Sequence, residues 1–282
     1  MATSNVFRTP LKAKLNRPHD VVFHNGRYVV ADTYNNRVVA INPSSQNPEN
    51  PFWSILCGQQ NFLPYGLLAL SDIDDHFLIT DMGKESEGCV YELKNGKLTQ
   101  WAKDYTEFTN PTGIAERDGK VYVADWGKNC VHVFDMNGDF TNKIGGDELV
   151  SPWFLAFNSK NLLYVADFNG IHVFNQDGKF KERLTFPTAK LTWHCRGIAI
   201  DKDDNIFITA RSHGSFLCFT TETVTVLDKD HRPAGDVTRG WWTFNYLRGL
   251  CVDKKNNKVV VVDGEWHRIQ MLSLDELLGK RE

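Results

Sequence analysis

The sequence predicts an all-β fold, a six-bladed β-propeller with four antiparallel strands per blade. Three observations point to it: a strand-forming phrase recurs six times, it recurs at the spacing of one blade, and the two ends of the chain complement each other. With 282 residues, 41% of them hydrophobic, the chain is long enough to bury the core such a ring needs.

The third unit shows the phrase most plainly. Residues 110–115 read Asn-Pro-Thr-Gly-Ile-Ala and are followed by a charged turn at 116–119. Residues 121–125 then read Val-Tyr-Val-Ala-Asp, and 131–135 read Val-His-Val-Phe-Asp. Short β-branched runs bounded by Asp, Asn and Gly are strands joined by hairpins. The phrase returns at Arg17-Pro18-His19-Asp20, Leu63-Pro64-Tyr65-Gly66, Ser151-Pro152-Trp153, Cys195-Arg196-Gly197 and Leu247-Arg248-Gly249, each followed by its own second strand. The residues closing those second strands are Asp32, Asp81, Asp125, Asp167, Ala210 and Asp263, at steps of 49, 44, 42, 43 and 53. Each unit has three clear strands, a, b and c, and a weaker fourth, d, such as 98–102 or 180–184. A solenoid would need caps at both ends, whereas a propeller closes on itself.

The chain ends bear on closure. After residues 268–272 the last unit has no fourth strand, while residues 5–8 stand unused before the first unit. An N-terminal strand closing the last blade is therefore expected, with the propeller at 5–272 and a short tail at 273–282. Ser273-Leu274-Asp275-Glu276 resembles a capping box and predicts a short helix in that tail.

Composition narrows the function. No stretch approaches 18 apolar residues and the first residues lack an apolar signal core, so a soluble, cytoplasmic protein without membrane partners is expected. Six cysteines (Cys57, Cys89, Cys130, Cys195, Cys218, Cys251) form no CxxC pair, and the nine histidines form no HExxH pattern. Buried, reduced thiols and no metal or cofactor are the expectation. A net charge of -3 argues against an overall basic nucleic-acid binder, so an anionic partner would need a local patch.

The phrase Pro-x-Gly-Ile-Ala, Val-Tyr-Val-Ala-Asp, Asn-x-x-Val-x-Val-Phe and Gly-x-Phe at 110–140 resembles the NHL repeat, and the turn at 32–38 is close to it. The second unit departs, with an insertion at 83–88, and so does the fifth, with Ala210-Arg211 where Asp is usual. The resemblance spans 5–272 and is to the C-terminal domain of TRIM-NHL proteins of the Brat type. It implies a post-transcriptional regulator that binds mRNA, translational repression in the cytoplasm, and in some members a ubiquitin ligase. The RING, B-box and coiled-coil parts of such proteins are not in this sequence, which implies a domain of a longer chain.

In a propeller the d-to-a and b-to-c connections share one face. The strand a entrances carry His19, Tyr65, Thr112, Trp153 with Phe154, Arg196 and Arg248; the b-to-c turns carry Tyr34, Arg37, Lys84, Trp126, Lys128, Phe168, Arg211, His213, Trp266 and Arg268. Interleaved basic and aromatic side chains suit single-stranded RNA, whose bases stack on rings and guanidinium planes while phosphates meet cations. The RNA-binding candidates are His19, Tyr34, Arg37, Tyr65, Lys84, Trp126, Lys128, Trp153, Phe154, Arg196, Arg211, His213, Arg248 and Arg268. Two plainer readings stand beside this one: Trp126 and Phe168 pack between blades, and Arg37 and Arg268 pair with the Asp ending strand b. The repeated Asp residues themselves read as turn acceptors. No carboxylates or histidines converge at channel positions, so no catalytic residue is expected. The same residues also fit a protein-interaction module recruiting partners or substrates to a ubiquitin ligase complex.

Overall fold

The computed structural model describes residues 14–42, 53–71, 74–84, 87–184, 192–213, 220–239 and 244–279. They form six antiparallel sheets in chain order. Blade one is Val21–His24, Arg27–Asp32, Arg37–Ile41 and Trp53–Gly58. Blade two is Pro64–Ala69, Phe77–Asp81, Cys89–Lys94 and Lys97–Gln100. Blade three is Pro111–Arg117, Lys120–Asp125, Cys130–Asp135 and Phe140–Gly145. Blade four is Leu155–Phe157, Leu163–Asp167, Gly170–Phe174 and Phe180–Leu184. Blade five is Thr192–Ile200, Ile206–His213, Thr220–Leu227 and Pro233–Arg239. Blade six is Leu247–Asp253, Lys258–Asp263 and Arg268–Ser273. The strand expected at residues 5–8 lies outside the described residues. A helix, Leu274–Leu277, follows blade six, and the Ser273 side chain accepts from the Glu276 N–H at its start.

Alternation puts apolar residues on both faces of the b and c strands, so every blade has two faces to bury. Six apolar clusters meet that need, one at each junction. The junction of blades one and six is made by Val21, Tyr28, Val30 and Val39 with Val260, Val262 and Ile269. The Tyr28 hydroxyl also donates to Asp253 Oδ2 at 2.7 Å. The ring thus closes by packing between the first and last blades.

In five of the six blades an Asp ends strand b and locks the blade at the channel face; blade five has Ala210 there. Asp125 accepts from the N–H groups of Thr109 (2.8 Å), Asn110 (3.0 Å) and Gly127 (3.0 Å). Asp81 accepts from Leu63 and Gly83, Asp167 from Val150 and Asn169, and Asp263 from Asn245. These carboxylates are structural acceptors.

Strands a meet edge to edge around the channel, and the residue after the entrance side chain decides how. An added Cβ on Gly66 would stand 2.3 Å from the Thr112 carbonyl, and one on Gly197 would stand 2.2 Å from the Arg248 carbonyl. Only glycine permits that approach. In blades two and five the glycine N–H reaches the next blade through a threonine: Gly66 donates to Thr80, which donates to the Thr112 carbonyl, and Gly197 to Thr209, which donates to that of Arg248. In blades three and six the bond is direct, Gly113 to the Trp153 carbonyl at 2.6 Å and Gly249 to the His19 carbonyl at 2.9 Å. Blades one and four carry Asp20 and Phe154 there instead. Asp20 accepts from Leu67 N of blade two at 2.9 Å. Phe154 packs among Cys195, Ile198 and Ala210 of blade five.

Five cysteines, Cys57, Cys89, Cys130, Cys195 and Cys251, are free thiols, and Cys218 lies outside the described residues. Burial pushes the Cys57 thiol up to about 12 and that of Cys89 to about 11, which keeps both protonated and unreactive. Among the described residues no helix is long and apolar enough to cross a membrane.

Candidate active site

A bulge interrupts the a–b pairing of blades two, five and six at the entrance residue and its glycine. Bulges re-aim side chains, and these bring Tyr65, Arg196 and Arg248 towards the channel beside His19 and Trp153. His19 and Tyr65 lie with ring centroids 3.7 Å apart, and Tyr65 stacks on Trp153 at 6.3 Å.

The arginines come from blades five and six and gather on one ring. Tyr246, held in the left-handed region at φ 65°, has the guanidinium carbons of Arg196, Arg248 and Arg211 at 3.8, 4.6 and 5.6 Å from its centroid. Cation–π attraction of this kind is strongest where water is excluded, and Arg196 and Arg248 are only 4% and 7% exposed. Among the described residues one carboxylate bonds into this group, while Glu265, paired with Arg17, acts on Arg248 from farther off. Glu222 accepts from Arg196 at 3.3 Å and from the Leu247 N–H at 3.0 Å, and lies 3.6 Å from Arg211. Burial raises the Glu222 carboxyl, opposed by Arg196. Three guanidinium groups against one carboxylate leave the pocket cationic, since arginine does not deprotonate in proteins.

His19 is fully buried on the edge of this group. Burial, and then the charge of Arg248, hold its imidazolium form well below the usual histidine range, so the ring is neutral at physiological pH. Its tautomer follows from its neighbour. Thr33 Oγ1 lies 2.6 Å from the Pro64 carbonyl, which only accepts, so the hydroxyl proton is committed there. The same Oγ1 is 2.7 Å from His19 Nδ1 and must therefore accept from it. The lone pair is then on Nε2, which has no hydrogen-bond partner among the described residues; Arg248 Nε, a buried donor, is in the same position. Above them Tyr34 is 51% exposed, with the Arg17 guanidinium 5.2 Å from its centroid and Arg17 bonded to Glu265 at 3.0 Å.

The expected open rim is revised in several places. Arg196 and Arg248 are not surface cations but buried ones, because Glu222, Tyr246 and the Leu247 carbonyl take up their hydrogen bonds and faces. His19 is likewise buried, and Phe154 belongs to the core between blades four and five. Arg37 and Arg268 are tied to their own blade's Asp32 and Asp263, at 2.7 and 3.0 Å. Tyr34, Trp126 and Lys128 are exposed, Trp126 thus not packed between blades, and Lys84 bonds Asn61 at the surface. Trp153 is half-buried, and the His213 side chain lies outside the described residues. Sequence reasoning missed Tyr246, Glu222 and Thr33. The signal for Glu222 was Ala210: with no Asp ending strand b of blade five, an acceptor had to come from elsewhere, and Glu222 stands opposite Arg211 in the next strand. Among the described residues no three His, Cys, Asp or Glu side chains converge as a metal-binding group.

Comparison with known proteins bears on this arrangement. The NHL repeat family matches residues 15–41 and 108–134, in blades one and three. The chain carries NHL repeats. Solved structures match over nearly its whole length. A streptogramin B lyase is 12% identical, with 95% of this chain and 96% of that one covered and a TM-score of 0.65. A catalytically inactive histidine-to-alanine variant of virginiamycin B lyase from Staphylococcus aureus, solved with quinupristin, is 12% identical at 94% and 98% coverage and a TM-score of 0.64. A gluconolactonase from Xanthomonas campestris is 15% identical at 92% and 86% coverage and a TM-score of 0.64. At these identities the likeness is one of fold. No curated protein matches the sequence. Two expectations are corrected here: a non-enzymatic platform and an RNA-binding regulator. The three structures named here are those of enzymes and none is an RNA-binding protein, while a nidogen–laminin complex, 16% identical at 89% and 95% coverage and a TM-score of 0.60, shares the fold as well.

Proposed function

We propose that this propeller is an enzyme whose site is the mouth of the channel between blades five, six and one, and that its substrate is a small ester or lactone. The reading rests on one observation: a neutral histidine with an unpartnered Nε2 lone pair lies beside a buried, net cationic arginine group. Cleavage of an ester needs a base to take a proton and a positive group where oxygen gains charge. His19 Nε2 is the base, accepting a proton from water or from an acidic carbon of the substrate, and Arg248 with Arg196 supports the oxygen that becomes negative. A bound anion also offsets the field of Arg248 on His19, which brings the imidazole back towards the basicity that proton transfer requires. Thr33 is a positioning residue, keeping the lone pair on the reacting nitrogen. Tyr34, exposed at the surface with its ring 6.4 Å from that of His19, is the side chain an incoming substrate would meet beside the base. The neighbours support the class: one is a gluconolactonase, and a lyase of this shape is inactive without a particular histidine.

The test is acid release from a panel of sugar lactones and cyclic esters, followed by pH-stat. Wild-type protein is expected to turn over at least one, and His19→Gln to lose roughly 10²–10⁴-fold in rate with an unchanged circular dichroism spectrum. Absence of turnover across the panel, or a His19→Gln variant as fast as wild type, overturns the reading.

A further inference from the structure

On the opposite face of the ring, between the a-to-b turns of blades three and four and the c-to-d turn of blade four, lies a cavity of about 260 Å³. Two rings line it, Tyr122 and Phe157, packed edge to face at 4.8 Å. Arg117 lies over Phe157 with its guanidinium carbon 5.4 Å from the centroid, and its Nη2 donates to the Asn158 carbonyl at 3.3 Å. That fixes a planar donor against an aromatic surface. Asn161 donates to Asp118 at 2.7 Å across the two blades. Lys120, Asn175, Gln176 and Asp177 complete the polar lining. Two cations and two carboxylates balance, so the cavity carries no net charge to select a phosphate or an amine.

We propose that this cavity binds a neutral sugar ring, as a free monosaccharide or the end of a glycan. Ring hydroxyls both donate and accept, which suits a lining that alternates carboxylate, amide and guanidinium. The apolar C–H face of a pyranose suits the part of the half-buried Phe157 ring that Tyr122 and Arg117 leave uncovered. The volume, a little under the roughly 300–1,000 Å³ of sites for drug-sized ligands, fits one ring and not an oligosaccharide. The site is distinct from the channel mouth and does not depend on its chemistry.

Saturation-transfer NMR on the whole protein tests this with methyl glucoside, methyl galactoside and N-acetylglucosamine, with glucuronate and inorganic phosphate as charged controls. At least one neutral sugar is expected to bind with millimolar affinity. Asp177→Ala, at an exposed turn, is expected to weaken it roughly tenfold, the worth of one hydrogen bond to a charged group. Trp126→Ala on the other face is expected to leave it unchanged. Binding of no neutral sugar, tighter binding of a charged control, or an unchanged affinity in Asp177→Ala overturns the proposal. None of these outcomes bears on turnover at the channel mouth.

Discussion

His19 Nδ1 and Thr33 Oγ1 are 2.7 Å apart, and the hydroxyl proton between them is already given to the Pro64 carbonyl of the next blade. One side chain of blade one thereby sets which nitrogen of another carries the proton. In ¹⁵N-detected NMR, His19 is expected to show the Nδ1–H tautomer in wild type. Thr33→Val removes the acceptor and should shift the population towards Nε2–H. A wild-type spectrum with the proton on Nε2 would remove the base from the mechanism.

Arg196 and Glu222 form a pair that is 5% exposed on each side. Removing Arg196 leaves the buried Glu222 with Arg211, 3.6 Å away, and the Leu247 N–H at 3.0 Å, so the loss lies at or below the ~3–5 kcal/mol of a fully stranded charge. Arg196→Met should therefore lower stability in denaturant titration, and adding Glu222→Met should recover only part of it, because Arg211 then loses its carboxylate. Equal stability of Arg196→Met and wild type would mean that the pair is solvated.

Asp20 occupies the glycine position of blade one, and burial pushes its carboxyl up to about 8 despite bonds from Leu67 and Val21. In the unfolded chain it titrates near 4. Between those values the folded state holds more protons than the unfolded one, so this group's contribution to stability falls as pH rises from about 4 to 8. The melting temperature of wild type is expected to fall across that window more steeply than that of Asp20→Asn, whatever the variant's absolute stability. Parallel curves would show that Asp20 ionises normally.

Gly66→Ala places a methyl group 2.3 Å from the Thr112 carbonyl, on backbone that has nowhere to go. Overpacking of this kind costs roughly 1–3 kcal/mol or more. Gly96→Ala, in a turn with open space around it, suffers only the strain of φ +72° and should lose about 1 kcal/mol. Thermal melts of the two variants compare the effects directly.

The blades were legible because their signal is local: Val, Tyr and Ile at alternate positions, with Asp and Asn at the turns, repeated six times. The glycines of the phrase were legible as well, although their reason, the backbone of the next blade, was not. What stayed hidden is what depends on partners far along the chain. Arg196 looks like a surface cation until Glu222, 26 residues on, and the Leu247 carbonyl close over it. Phe154 looked like an exposed neighbour of Trp153, but it stands where other blades have glycine and so points into the junction with blade five. Tyr246 stood one residue outside the repeated phrase, in a position only its left-handed backbone makes meaningful.

The joints around the channel repeat with a period of three blades and not one. Threonine relays serve blades two and five, direct bonds serve three and six, and a side chain in the glycine position serves one and four. The ring is in that respect two half-rings in tandem, each ending in a glycine shaped to receive the start of either. Gly113 meets Trp153 as Gly249 meets His19, so the joint that seals the circle is of the same kind as the joint at its middle. A chain severed between blades three and four therefore leaves two fragments with matching ends, and co-expressed halves are expected to reassemble into one ring.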